Sequence, residues 1–211
     1  MNIDLASLGL RLDNAQVDFL NVQLTREDII TTAVKLLNTY GFADMTMRRI
    51  ATTLGVVPGA LYWHVANKQA LIAEIAASFI THLDGSSTLE LVANLRKILL
   101  AHRDGAELVT AALSQADSPT WTQLTEKFAD ALRETGADES ARRIAAETLV
   151  HLVLGTTVMD QNRAQLAELT KTITDDDASQ SPSSSKEATL ADSSLLQGAE
   201  IIIAGVRQVT P

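Results

Sequence analysis

The chain has 211 residues, 46% of them apolar, so it is long enough and apolar enough to bury a hydrophobic core. The absence of cysteine excludes disulfides, thiolate metal sites and cysteine nucleophiles, and it is compatible with a reducing cytoplasm. No stretch approaches the roughly 20 apolar residues that span a bilayer, and the N-terminal sequence MNIDLASLG lacks the basic start of a signal peptide. We therefore expect a cytoplasmic protein with no membrane partner.

The net charge of −9 is unevenly distributed along the chain. Taken alone, an acidic balance argues against nucleic acid, because contacts with phosphates need cations. Residues 45–73, however, contain no Asp or Glu and carry +3 through Arg48, Arg49 and Lys68. A basic window in an acidic chain favours a single DNA-facing surface, with chance clustering as the alternative explanation of the charges alone.

Helix caps follow one another from residue 24 onward. Residues 1–23 show only a weak helical pattern, and we interpret them as an N-terminal arm. The predicted helices start after the capping box at Thr25, after Thr46, at Pro58 and after Asn67, and they end at Gly41, Gly55 and, for the last, about Leu83. A turn is predicted at residues 84–87.

The second and third predicted helices have the spacing of a helix-turn-helix. Ala51 is small enough to let the two helices approach, Gly55 supplies the positive φ of the tight turn, and Leu61 points back into the shared core. Ile50 and Leu54 complete that core. Hydroxyl, imidazole and small side chains exposed on the second helix can contact phosphates and thymine methyl groups. The exposed residues are expected to be Pro58, Gly59, Ala60, Tyr62, Trp63 and His64, the alternative being that Tyr62 and Trp63 are core aromatics.

The rest of the chain is also helical in pattern. Helices are predicted at about 89–102, from 106, from the cap at 118 to about 134, at 139–169 and at 190–209. Residues 144–159 are apolar nearly all round, so we expect them to be buried on every side. The acidic, serine-rich segment 174–187 is interpreted as a mobile loop. No strand-type alternation appears at length, and the predicted fold class is all-α.

Several motifs give the chain a resemblance to a known family. They are LGV at 54–56, ALYWHVANK at 60–68, HRDGA at 102–106, LG at 154–155, MDQ at 159–161 and EIIIAG at 200–205. In this order they resemble the TetR family of transcriptional regulators, from Thr25 to Val209. The resemblance implies a three-helix helix-turn-helix DNA-binding domain at residues 24–70 and a helical ligand-binding and dimerisation domain at residues 71–211.

The resemblance also implies a set of DNA-contacting residues. Position by position, they fall on Thr46, Met47, Arg48, Pro58, Gly59, Ala60, Tyr62, Trp63, His64 and Lys68. Tyr62, His64 and Lys68 would mainly position the protein on phosphates, and Arg48 would reach a guanine edge or a phosphate. Pro58, Gly59 and Ala60 depart from the more polar family pattern, so the resemblance does not supply the operator sequence.

The drug-binding residues of the family do not carry over. A magnesium-holding histidine aligns with Val109, its acidic partner with Met159, and two further drug contacts with Leu91 and Leu95. Valine and methionine cannot hold a hard cation, so we expect no magnesium–tetracycline binding, no metal site and no cofactor. A largely apolar cavity is predicted instead. For each lining residue, the alternative is that it packs in the hydrophobic core and does not contact a ligand. The candidate lining residues are Leu91, Leu95, Val109, Leu113, Phe128, His151 and Met159.

The resemblance implies a homodimer joined by two long helices of each subunit, here residues 139–169 and 190–209. The apolar pattern marks both segments independently. A dimer reads two half-sites about one DNA turn apart. We therefore expect a repressor of double-stranded operator DNA. An unidentified small-molecule effector would release it by binding better to the conformation in which the recognition helices are wrongly spaced. The helix at residues 67–83 would transmit the change from the effector site to the recognition helices.

The first alternative function is that of an enzyme, a metal-dependent hydrolase. An enzyme would have to use His64, His82, His102 or His151, but no two of them share a ligand spacing on one helix. GxSxG, Walker and HExxH motifs are also absent, so we expect no catalysis. The second alternative is a DNA-binding protein without a small-molecule inducer, either a constitutive regulator or an architectural protein. The acidic remainder of the chain argues against nonspecific coating of DNA.

Overall fold

The computed structural model describes residues 24–173 and 183–209, and all regular structure within them is helical. The predicted N-terminal arm at residues 1–23 lies outside the described residues. The α-helices are α1 (Arg26–Tyr40), α2 (Met47–Leu54), α3 (Pro58–Leu61), α4 (Lys68–Ile80), α5 (Thr88–Leu100), α6 (Gly105–Leu113), α7 (Pro119–Ala131), α8 (Glu139–Ile173) and α9 (Ser183–Gln208). A 3₁₀ turn (Leu132–Thr135) follows α7. No helix in these ranges is long and apolar enough to cross a membrane, and the all-α prediction is confirmed.

Side-chain caps begin the first helices where the sequence predicts them. The Asp28 amide donates to Thr25 Oγ1 at 3.1 Å, and the Thr25 amide donates to Asp28 Oδ2 at 2.9 Å, which completes the capping box. Thr46 Oγ1 accepts from the Arg49 amide at 3.2 Å, and Asn67 caps α4 in the same way. Each cap satisfies an amide that the first helical turn leaves without a partner, so these four residues define where α1, α2 and α4 begin.

The C-terminal helices follow the predicted order, with changed boundaries around the predicted loop. α8 extends to Ile173, and α9 begins at Ser183 rather than at Leu190. The part of that loop at residues 183–187 is therefore helical, while residues 174–182 lie outside the described part of the chain. The serine and acidic content of the segment predicts a loop. Lys186 and Glu187, however, are good helix formers, which favours an earlier start of α9.

Helix α4 joins the first three helices to the rest of the molecule. It contacts α1, α5, α6 and α7, and its residues Leu71, Ile75 and Ala76 are fully buried. Because one apolar face of α4 reaches both groups of helices, a single hydrophobic core extends from α1 to α9. A displacement of α4 would therefore shift the helices packed against it in both parts of the molecule.

A buried arginine ties α5 to the two long helices. Arg96 donates to Asp160 Oδ2 on α8 at 3.0 Å and to Asp192 Oδ1 on α9 at 2.5 Å. Its Nη1 also reaches the Thr157 hydroxyl at 3.4 Å. A buried charge is tolerated only where it is paired and hydrogen-bonded, so these contacts define how α5, α8 and α9 pack together.

Candidate DNA-binding interface and effector cavity

The turn between α2 and α3 has the geometry that the helix-turn-helix spacing predicts. Gly55 adopts the left-handed conformation with φ +69°, and Val56 donates its amide to the Ala51 carbonyl at 3.0 Å. A left-handed residue here is cheap only for glycine. Ala51 and Leu61 are fully buried, so α2 and α3 share one tightly packed contact. The turn therefore holds α3 at a fixed angle, with its outer face turned away from the core.

The outer face of α3 and the turn after it presents large aromatic side chains to solvent. Trp63 is 89% exposed and Tyr62 is 53% exposed, which contradicts the alternative that they are core aromatics. Pro58 and Gly59 are also exposed, while Ala60 and His64 are half-buried. Exposed large apolar groups on a soluble protein mark an interaction surface. This surface is called the reading face below; it consists of Val57, Pro58, Gly59, Ala60, Tyr62, Trp63 and His64.

Two cations flank the reading face, and a third is paired with a neighbouring carboxylate. Arg48 is exposed at the start of α2 and has no ion pair among the described residues, and Lys68 lies at the start of α4. Arg49 instead donates to Asp44 Oδ1 at 2.8 Å and lies 4.1 Å from the centre of the Tyr40 ring. The cation available to reach DNA from α2 is therefore Arg48.

Two further residues that were predicted to contact DNA, Thr46 and Met47, also contribute to the packing and capping of α2. The Thr46 hydroxyl caps α2, and Met47 is half-buried against the core. The Nζ of Lys68 lies 5.3 Å from the centre of the Phe42 ring, within the range of a cation–π contact. These contacts orient the ends of α2 and α4 beside the reading face.

The corner between α5 and α6 docks onto the end of α1. The Arg103 amide donates to Asn38 Oδ1 at 3.2 Å, and its Nη1 donates to the Thr39 carbonyl at 3.3 Å. The Phe42 amide donates to Asp104 Oδ2 at 2.8 Å. Three hydrogen bonds thus link the end of α1 directly to the corner between α5 and α6.

The same corner is held from the other side by α8. The Gln165 side-chain amide donates to Asp104 Oδ1. Gln161 donates to the His102 carbonyl at 2.8 Å and accepts from the Ala106 amide at 3.2 Å. Asp104 itself has φ +53°, a conformation that is costly for most residues with a side chain. Its carboxylate therefore bridges α8 and the segment after α1 at the expense of some backbone strain.

His102 has a packing position in this corner. Its ring stacks on Phe79 of α4 with 3.9 Å between ring centres, and burial lowers the pKa of the imidazole, which favours the neutral form. A neutral ring can lie flat on a phenyl ring without an unpaired buried charge. The contact adds a further link between the corner and α4.

A cavity of about 200 Å³ opens between α6, α7 and α8. Of the predicted lining residues, Leu113 and His151 lie on its wall, and His151 is 5.1 Å from Trp121 between ring centres. The remaining wall consists of Thr110, Ser114, Trp121 and Leu154. The other predicted lining residues lie elsewhere: Leu91, Leu95, Val109 and Phe128 fill the core, and Met159 is exposed on α8.

The two long helices expose apolar side chains in the single chain. Ile144 is 61% exposed and Met159 is 62% exposed, so the expectation that residues 144–159 are buried on every side is not met within one subunit. Further exposed apolar residues on α8 and α9 are Leu166, Leu169, Leu190 and Ile201. An apolar surface of this kind marks an interface.

Comparison with known proteins identifies relatives for both halves of the chain. Residues 29–75 match the family described as bacterial regulatory proteins, tetR family. The tetracycline repressor protein class C of Escherichia coli is 39% identical over 97 residues, which cover 41% of this chain and only 44% of that repressor. The structure of Mycobacterium smegmatis BioQ is 32% identical, with a TM-score of 0.74, over 88% of this chain and 99% of that one. BioQ bound to its double-stranded DNA operator is 39% identical, with a TM-score of 0.63, over 69% of this chain and 92% of that one.

The chain belongs to the TetR family of bacterial regulatory proteins. This confirms the resemblance carried by the motifs at 54–56 and 60–68. The homologues are regulators and not enzymes. In the described part of the chain, no group of three or more His, Asp or Glu side chains is placed to hold a metal ion.

Replacing Asp104 by glycine tests the corner. Glycine accepts the positive φ, so Asp104→Gly removes the carboxylate without adding strain. We expect the free energy of unfolding to fall by about 1–3 kcal/mol, the scale of lost hydrogen bonds to a charged group. We also expect the Phe42 amide to exchange faster with solvent, because it loses its acceptor. Urea unfolding and hydrogen exchange measure the two effects.

Asp117→Gly is the matched control, because Asp117 is exposed and has φ +55°. It makes the same change of residue at the same backbone conformation, away from the corner. Equal effects of the two substitutions on stability and on Phe42 exchange would contradict the bridging role of Asp104.

Proposed function

We propose that the protein is a repressor that binds operator DNA through the reading face. The observation that carries this proposal is the near-complete exposure of Trp63 beside Tyr62, in the turn that follows α3, the helix positioned by the turn at Gly55. Arg48 and Lys68 flank it and supply positive charge for the DNA backbone. The operator complex of the relative BioQ supports the same interpretation.

The residues divide by the DNA group that each can reach. Tyr62, His64 and Lys68 carry groups that bond phosphates and would fix the register of the protein on the duplex. Arg48 can make two hydrogen bonds to a guanine or contact a phosphate. Trp63 extends furthest into solvent and would pack against the sugar-phosphate backbone. Thr46, Met47, Pro58, Gly59 and Ala60 complete the proposed contact surface.

The proposed repressor is a homodimer. A second copy related by a two-fold axis would cover the exposed apolar residues of α8 and α9 with the same residues of its own. It would also present two reading faces to two half-sites of a palindrome. In this proposal residues 24–70 are the DNA-binding domain and residues 71–211 the effector-binding and dimerisation domain, in a protein that works in the cytoplasm, where the DNA is.

A salt-titrated binding assay tests DNA binding. The DNA is the segment upstream of the protein's own gene, and the variants are Tyr62→Ala and Arg48→Ala. We expect each to weaken binding by about tenfold or more, the scale of a lost base or phosphate contact. If Arg48 contacts a phosphate, its loss also lowers the slope of log affinity against log salt by about one per subunit, whereas loss of the neutral Tyr62 leaves the slope unchanged.

Arg133→Ala is the control for charge, since Arg133 is exposed in the 3₁₀ turn after α7 and pairs with its neighbour Asp130. It should bind as the wild type does. Weak, salt-labile binding that is blind to sequence and equal in all four proteins would contradict the repressor proposal.

We further propose that a small molecule in the cavity releases the repressor. The cavity touches α6, α7 and α8, and α6 and α7 pack directly on α4, which begins shortly after the reading face in the chain. A ligand that separates these helices would therefore bias the position of α4 and, through the corner at Asp104, the end of α1. Couplings of this type are typically about 1–3 kcal/mol.

A regulator without an inducer is the second candidate. Leu91, Leu95, Val109 and Phe128 fill the space where the sequence predicted a cavity. The cavity that remains, of about 200 Å³, is below the roughly 300–1,000 Å³ of ordinary ligand pockets. These observations favour a protein whose operator affinity does not depend on a metabolite.

A cavity-filling variant separates the two candidates. Ser114→Trp adds bulk at an exposed position of the cavity wall, and the probe is the low-molecular-mass fraction of a cell extract. For an inducible repressor we expect the extract to weaken operator binding of the wild type by about 5- to 150-fold and to leave the variant bound. Operator affinities that no fraction changes would favour the second candidate.

A further inference from the structure

The tip of the reading face contains no side chain that can form a hydrogen bond. Val57 precedes α3, Pro58 and Gly59 form its first turn, and Ala60 follows. In a helix-turn-helix, the N-terminal residues of the second helix meet the base edges in the major groove. These four positions therefore cannot read the donors and acceptors of a purine through their side chains, although that is the usual means of direct readout.

Val57 is exposed to solvent at this tip. The residue is 71% exposed, although valine is among the residues that are most often buried. It makes no side-chain hydrogen bond as the N-cap of α3, where serine, threonine, asparagine or aspartate would stabilise the helix. The position therefore carries a residue that serves neither the core nor the cap.

The polar and charged groups of the surface lie away from this tip. Arg48 lies at the start of α2, Lys68 lies at the start of α4, and Tyr62 and His64 lie in the turn that follows α3. They can bond phosphates on either side of the groove. The base-facing centre is left with aliphatic carbon alone, and the base group that aliphatic carbon recognises in the major groove is the thymine methyl.

We propose that Val57, with Pro58 and Ala60, recognises thymine methyl groups, so that Val57 is a specificity-determining residue of the operator contact. The inference rests on the proposed DNA binding and adds the chemistry by which the base is chosen. Each operator half-site then carries one or two thymines whose methyl groups pack on the tip of α3. Contact between the methyl group and Val57 removes apolar surface of both from water.

Thymine-to-uracil exchange in the operator tests this inference directly. Deoxyuridine pairs and hydrogen-bonds as thymidine does but lacks the 5-methyl group. The probes are operator duplexes with single deoxyuridine replacements, one for each thymine of a half-site. We expect replacement at one or two positions to weaken binding of the wild type by about fourfold, the effect of one methyl-sized group returned to water, and replacement at the others to have no effect.

The Val57→Ala variant tests whether Val57 is the residue that contacts the thymine methyl group. Because Val57 is exposed, the variant should fold as the wild type does, and a thermal melt checks this. We expect the deoxyuridine penalty to fall to less than twofold in Val57→Ala, since the two partners of one contact are coupled in a double-mutant cycle. Leu100→Ala, at an exposed aliphatic residue at the end of α5, is the control and should retain the full penalty.

The outcomes distinguish the inference from the function on which it rests. Absence of any specific binding to thymine-containing DNA would overturn the repressor proposal and the inference with it. Specific binding that is indifferent to every deoxyuridine replacement would overturn the inference and leave the repressor proposal intact. A penalty of equal size in the wild type and in Val57→Ala would overturn the role of Val57.

Discussion

The carboxylate of Asp104, together with the neighbouring Arg103, links the corner between α5 and α6 to the segment at the end of α1. One of its oxygens accepts from the Phe42 amide, just after α1, and the other from Gln165 on α8. α8 also carries His151 on the cavity wall and the exposed apolar residues that we assign to the dimer interface. Asp104 therefore connects α8, the helix that carries both of these proposed sites, with the segment that follows α1. Because packed interiors transmit displacement rather than absorb it, a shift of α8 has a short route to α1.

The balance of charge places a second constraint on this protein. A chain of net charge −9 repels DNA at long range, and its reading face offers few cations. In the proposed binding mode, affinity therefore depends on short-range contacts, namely the aromatic surface of Tyr62 and Trp63 and the aliphatic tip at Val57. An acidic body also discourages nonspecific binding, which is mostly electrostatic. A protein built in this way gains discrimination between sites at the cost of affinity for DNA in general.

Local signals in the sequence were sufficient for much of the fold. Caps such as Thr25 and Thr46, and the glycine of the turn at Gly55, act through atoms within a few residues, so their effects are visible in a short window of sequence. The exposure of Tyr62 and Trp63 also followed from the helix-turn-helix spacing, because Leu61 can occupy the core only if its neighbours face outward. Val57, by contrast, was missed, since an aliphatic residue beside a helix start is ordinarily assigned to packing.

Contacts between distant segments could not be predicted. Arg96 meets Asp160 and Asp192, which are more than sixty residues away, and nothing near any of them in the sequence indicates a partner. The cavity was placed among Leu91, Leu95 and Val109 by alignment alone, whereas the packing of α5 and α6 fills that space. The size and place of a cavity depend on the combined volume of side chains from several helices. That volume cannot be read from one sequence without knowing how the helices pack.

The most direct test of the central claim, that the reading face meets DNA, uses the two tryptophans of the chain. In a Trp121→Phe variant, Trp63 is the sole indole, and its exposed ring should be fully open to quenching by acrylamide. The account predicts that saturating operator DNA, with binding measured separately by anisotropy of labelled DNA, protects Trp63 from acrylamide. The Trp63→Phe variant, which reports Trp121 in the cavity, should show no such protection. Operator binding that leaves Trp63 as open to acrylamide as in the free protein would contradict the account.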